Sequence, residues 1–203
     1  MYRYARFASL LALIILMMPW TAGAIIEPET EMEFDDTVTI ETDGASYTLA
    51  VTGVGLREKT FMKVNVYAIV SYVAEGTQLK GDLGKALMEL DAPKMIRMDL
   101  VRGFSREKLC NAFKDVIEEN FEDQTPFASD MEAFLAYFTV DAEEGDILIF
   151  TYLPGVGMKT TKNGEEMKII ENFEFTKALW SVWFGEEPAS DGLKEELLAK
   201  VAG

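Results

Sequence analysis

Arg57 closes a Gly53-Val-Gly55-Leu-Arg57-Glu-Lys59 passage, and Tyr67 lies ten positions further on. Both positions are odd, so if the backbone between them runs without a bulge the two side chains reach one face of a sheet. A guanidinium fork and a phenol hydroxyl both donate hydrogen bonds to carboxylate oxygens, and the guanidinium stays charged at any working pH. The pair could hold a carboxylate, with apolar neighbours receiving a hydrocarbon body. Taken singly, each residue has a plainer reading: Arg57 as a surface or ion-paired side chain, Tyr67 as a packed aromatic with a satisfied hydroxyl. The two glycines suggest a sharp passage or bulge that fixes where Arg57 points. They do not make a phosphate loop, because both the Walker spacing and a G-x-G-x-x-G leading into a helix are missing.

Composition removes other chemistries. The 203 residues include no histidine and a single cysteine, Cys110. A Ser-His-Asp or Cys-His arrangement is therefore excluded, an ordinary zinc site is not expected, and no intramolecular disulfide can form. Acid–base work near neutral pH would fall to shifted Asp, Glu, Lys or Tyr groups. No metal and no organic cofactor is indicated. With 19 basic against 35 acidic residues the chain carries −16, a surface that repels nucleic acid and anionic lipid head groups.

The first 24 residues, MYRYARFASLLALIILMMPWTAGA, place Arg3 and Arg6 before an apolar stretch from Phe7 to Met18, then Pro19 and small residues ending Ala22-Gly23-Ala24. This is the order of a cleavable export signal, and the apolar run is shorter than the roughly 20 residues of a bilayer span. No cysteine follows that could carry a lipid anchor. Cleavage removes two arginines, leaving 17 basic against 35 acidic residues, or −18. The mature chain is expected to be periplasmic or secreted, monomeric and without a stable membrane anchor.

The elements that must position Arg57 and Tyr67 follow from periodicity. Residues 25–36 are acidic and aperiodic and read as a flexible lead-in; one domain is expected over residues 37–203. A hairpin is predicted over Thr37–Val54, turning at Asp43-Gly44. The run Phe61–Val73 alternates as a strand, with Met62, Val64, Val66, Ala68, Val70 and Tyr72 as a continuous apolar face. Its other face, with Tyr67, Ser71 and Val73, is mixed; it could line a partly polar cavity, although solvent is the default for half of an antiparallel sheet. Helices are predicted over Gln78–Leu90, from an N-cap at Ser105, over Pro126–Phe138, from Phe175 to a stop at Gly185, and over Asp191–Lys200, with strands at Met95–Val101 and around an Asn163-Gly164 turn. Cys110 is expected to be buried and inert in the helix that follows Ser105. The sum is an α+β domain, a large and mainly antiparallel sheet covered on one face by helices.

Four blocks in this order, G-V-G-L-R-E-K-T-F-M-K-V-N-V-Y-A-I-V-S-Y-V, K-M-I-R-M-D-L-V-R-G-F-S-R-E-K-L, E-G-D-I-L-I-F-T-Y-L-P-G with its N-G turn, and F-T-K-A-L-W-S-V-W-F-G-E-E-P, resemble the chalcone isomerase-like superfamily, covering roughly Thr37 to Lys200. The resemblance implies an open-faced β-sandwich. It also implies either a ring-closing isomerase or a non-catalytic member of the kind that binds fatty acids. Arg57 matches the arginine that assists catalysis in the enzymes. Tyr67 stands where they have a water-ordering threonine, as in fatty-acid-binding members that read V-Y-A. Phe104 takes the place of the active-site tyrosine, and Asn111 matches the asparagine seven residues later. Phenylalanine supplies no hydroxyl, which argues against ring closure. The resemblance thus points to an exported binder of a fatty acid or similar apolar carboxylate through Arg57, Tyr67, Phe104 and Asn111, of the bacterial or fatty-acid-binding-protein-like branch. The alternative is an isomerase or lyase on a small phenolic or enone substrate.

Overall fold

A computed structural model describes residues 23–42, 44–59 and 64–201. The expected export signal up to residue 22, Asp43 of the first turn, and Phe61, Met62 and Lys63 of the expected strand lie outside the described residues.

Seven strands form one antiparallel sheet in sequence order: β3 (Thr37–Glu41), β4 (Ser46–Lys59), β5 (Val64–Ala74), β6 (Lys94–Leu100), β7 (Ile147–Leu153), β8 (Gly157–Lys162) and β9 (Glu165–Glu166). The Asn163-Gly164 turn joins the last two with both residues at positive φ, the primed geometry that suits a twisted hairpin.

The helices α1 (Leu83–Met88), α2 (Arg106–Asn120), α3 (Ala128–Ala136), α4 (Phe173–Phe184) and α5 (Asp191–Leu198) cover one face. The expected cap is present: Ser105 Oγ accepts from Lys108 N at 3.3 Å and opens α2. Cys110 is buried on that helix. The first helix is shorter than its pattern suggested. Gly81 has φ +75°, and Asp82 Oδ1 accepts from Lys85 N at 2.9 Å, so the helix begins only after Asp82. The α4 face is the centre of the main core, with Phe175, Trp180, Trp183 and Phe184 all buried.

The two faces of β5 divide differently from the expectation that one would face solvent. Ile69 and Val73 pack beneath the helices, whereas Ala68, Val70 and Tyr72 belong to a second core on the other side of the sheet. The segment expected to be a flexible lead-in builds that second core. Strands β1 (Ala24–Ile26) and β2 (Glu33–Asp35) pair as a small hairpin that sets Phe34, only 2 % exposed, against the sheet. Tyr72 Oη donates to Asp35 O at 2.7 Å, and the Arg97 guanidinium lies 5.4 Å from the Phe34 ring centre. Glu27 closes the turn between β1 and β2 by accepting from Thr30 N at 2.8 Å and Thr30 Oγ1 at 2.6 Å. The apolar residues of this acidic stretch carry no periodicity, yet Phe34 is buried and Ile25 and Met32 pack against the second core, so the order of this segment comes from docking rather than propensity.

Gly53 and Gly55 serve the approach of α5. A Cβ on Gly53 would stand 2.7 Å from Leu197 Cα, and one on Gly55 would stand 2.7 Å from Leu193 Cδ1. Lys200 N donates to Thr52 O at 2.9 Å, and Glu196 Oε2 accepts from Leu56 N at 3.3 Å, so α5 takes up backbone groups of β4 where β3 has ended. The sheet shifts register at Val51/Gly53, a bulge of the kind the glycine passage suggested, and again at Arg57/Glu58, where none was expected.

Candidate functional site

Beyond Gly55, β4 carries Arg57 out from under α5. In the β4–β5 register Arg57 lies directly opposite Tyr67, and Tyr67 in turn lies opposite Leu100 of β6. Val101 N donates to Val66 O at 3.2 Å, which holds the exit of β6 against the start of β5. The end of the β4 strand, the start of β5, the exit of β6 and the first turns of α2 therefore converge at one end of the sheet. There they enclose a cleft of about 670 Å³, within the range of small-molecule sites.

All four residues singled out in the sequence line this cleft. They play different parts in it. Arg57 and Tyr67 project from neighbouring strands of its floor. Phe104 enters from the β6–α2 connection, fixed by a two-way backbone bridge in which Phe104 N donates to Ala142 O at 2.8 Å and Ala142 N to Phe104 O at 2.9 Å. Asn111 sits on an exposed position of α2, at the rim. The rest of the wall is largely apolar, with Val66, Met98, Leu109, Phe113, Val116 and Val182 among it.

One residue that the sequence did not single out is central. Trp183 Nε1 donates to Tyr67 Oη at 3.1 Å. The indole is 1 % exposed and lies against the rings of Phe113 and Phe150, with ring centres 6.2 and 5.8 Å away. A phenol oxygen that accepts from a fixed donor still has its own proton to give. No described residue takes that proton. Burial raises the Tyr67 pKa above its ordinary 10, against the opposing effects of the Trp183 bond and the Arg57 charge, so the hydroxyl remains a donor at neutral pH. Arg57 is similarly available: its Nη1 donates to the carbonyl of Glu58, and among the described residues no carboxylate pairs with it. Two donors, one of them a permanent cation, thus face an apolar cleft side by side.

Among the described residues no group of His, Cys, Asp or Glu side chains could hold a metal ion, and no helix is long and apolar enough to cross a membrane.

The match to a family model covers residues 29–199 and carries the description chalcone isomerase-like. The chain belongs to the chalcone isomerase-like family. Among solved structures it is similar to a fatty-acid binding protein of Arabidopsis thaliana, with a TM-score of 0.70 and 20 % sequence identity over 89 % of this chain and 98 % of that one. At that identity the likeness speaks for the fold, which is the chalcone isomerase-like fold expected from the sequence. No curated protein sequence matches the chain.

Proposed function

We propose that this protein is an exported, non-catalytic binder of a fatty acid or a similar apolar carboxylate. The observation that carries the reading is the cross-strand pair of Arg57 and Tyr67, whose free donors face one apolar cleft. A carboxylate seated there receives the guanidinium fork and the Tyr67 hydroxyl, while its tail lies along Met98, Leu109, Phe113 and Val182. Trp183 holds the phenol ring so that the hydroxyl gives its proton to the ligand. The similar structure is that of a fatty-acid binding protein, which supports the same ligand class. Phe104 brings a ring and no hydroxyl to the wall, which disfavours an isomerase reading of the same cleft. Export to the periplasm or the medium rests on the order of charged, apolar and small residues over positions 1–24.

The test is isothermal titration with dodecanoate, together with native mass spectrometry of protein taken from its own compartment. Hydrogen bonds to a charged group contribute about 1.5–3 kcal/mol each, so Arg57→Ala should weaken binding by at least about tenfold. The absence of a co-purifying acid, combined with equal dodecanoate affinity in wild type, Arg57→Ala and Tyr67→Phe, would reject the proposal.

A further inference from the structure

The cleft holds more positive charge than one carboxylate needs. Besides Arg57, it is lined by Lys59 at the end of β4, Arg102 in the β6–α2 connection and Lys108 in the first turn of α2. Only two acidic side chains, Asp115 and Glu119, lie along it, both further down α2. This is a local excess of cations in a chain of net charge −16.

These cations are also uncommitted among the described residues. The salt bridges there use Arg97, Lys114, Lys159, Lys162 and Lys177, none of which lines the cleft. Arg102 instead rests over the ring of Phe104, its guanidinium carbon 5.7 Å from the ring centre. The 15-residue α2 begins at the same end of the cleft, but Asp141 Oδ1 already accepts from Arg106 N at 2.8 Å and Glu107 lies in its first turn, so the cation side chains rather than the helix dipole supply the positive potential. Four cations that share the cleft with two carboxylates and pair with neither repel one another, and an anion relieves that repulsion.

Resting on the reading that the cleft takes an apolar acid such as a fatty acid, we propose that it also accepts, and holds more tightly, a head group with two negative charges, as a phosphate monoester has. Arg57 and Tyr67 hold the oxygens nearest the floor, and Arg102 and Lys108 meet the outer oxygens at the rim. A phosphate monoester has about −1.5 to −2 charge at pH 7 and three acceptor oxygens, enough for this set of donors.

Dodecyl phosphate and dodecanoate share a tail and differ in the head, so titration calorimetry of both at pH 7.5 isolates the head group. Dodecyl phosphate should bind about tenfold more tightly, the gain available from two partly exposed ion pairs, with the steeper loss of affinity as salt is raised. In the double variant Arg102→Gln, Lys108→Gln, both changes being at exposed positions, the ratio of the two affinities should fall to within about twofold. Equal affinity for the two ligands, or a preference that survives the double variant, overturns the inference and leaves the fatty-acid reading standing. If neither amphiphile binds, the underlying reading of the cleft fails first.

Discussion

Lys94 should make this protein more stable in mildly alkaline than in neutral solution. The side chain is fully buried, with Nζ donating to Leu87 O at 3.1 Å and Met88 O at 2.9 Å, at the end of α1. Three rings surround it: Nζ lies 5.1 Å from the Trp180 ring centre, 5.4 Å from Phe173 and 5.6 Å from Tyr152. Burial pulls its pKa from 10.5 down to about 7; the nearby Asp91 charge opposes this and Lys177 adds to it. For a base with a depressed folded pKa, the unfolded chain binds the extra proton between the two values, so stability rises with pH there and is flat below about 7. The interval from about 7 to 10.5 corresponds to roughly 5 kcal/mol at about 1.36 kcal/mol per pH unit. The tyrosines with raised pKa values act in the opposite sense near its upper end. Between pH 7 and 9 the gain should therefore be about 2–3 kcal/mol.

Lys94→Met keeps the unbranched shape and removes the ammonium. The variant loses two donors to carbonyls, which costs about 1–3 kcal/mol for each acceptor left dry, and it also loses the burial of a charge. Its stability at pH 7 should thus lie near that of the wild type, while its slope between pH 7 and 9 should be nearly flat. Urea unfolding at pH 6, 7, 8 and 9 on both proteins measures the slopes. A wild-type profile with no rise above pH 7, or the same rise in Lys94→Met, would refute the assignment to Lys94.

Tyr67→Phe should weaken dodecanoate binding by about tenfold or more and lower stability by about 1–3 kcal/mol, because the buried Trp183 N–H loses its acceptor; calorimetry and thermal unfolding separate the two effects. Unchanged stability would show that the Trp183 bond contributes nothing. Gly53→Ala should cost more than Gly55→Ala in urea unfolding, since the added methyl meets the backbone of Glu196 and Leu197 in the first case and side-chain ends of Glu196 and Leu193 in the second. Equal costs would mean that α5 shifts freely. Burial, together with the charges of Glu27, Glu29 and Glu58, raises the Glu196 pKa, against the Leu56 N–H bond. For an acid with a raised folded pKa, stability is lost as pH climbs through the acid range, so Glu196→Gln should stabilise the protein at pH 7 and leave it unchanged near pH 4. Equal stability of the two proteins at pH 7 counts against this.

Local signals carried much of the architecture. Ser105 reads as an N-cap because a short hydroxyl before an apolar period of 3.6 has one obvious use, and Asn163-Gly164 reads as a turn because few dipeptides accept positive φ twice. Strand parity would bring Arg57 and Tyr67 to one face only on a backbone without a bulge, and a register shift follows Arg57; the two residues face each other because they are opposite in the β4–β5 register. The longer-range features were not visible in this way. Nothing in the β5 alternation reveals that its mixed face lies under the helices and that its apolar face is covered by Phe34, more than 30 residues earlier in the chain. Trp183 and Tyr67 are joined across 116 positions, and Lys59, Arg102 and Lys108 look like ordinary surface charges until three strands and a helix end are brought together. Lys94 falls just before the strand expected from Met95, and its aromatic surroundings come from β7 and α4.

The packing of α5 on the glycine pair bears on how the chain avoids its own kind. Beyond Ala50 the β4 strand runs without β3 beside it, and a bare strand margin invites pairing with another chain. Here Lys200 N and the Glu196 carboxylate occupy backbone groups on that margin, and glutamates at positions 27, 29 and 58 surround it with negative charge. The last helix acts as a guard against sheet-to-sheet aggregation, posted on the same strand that presents Arg57.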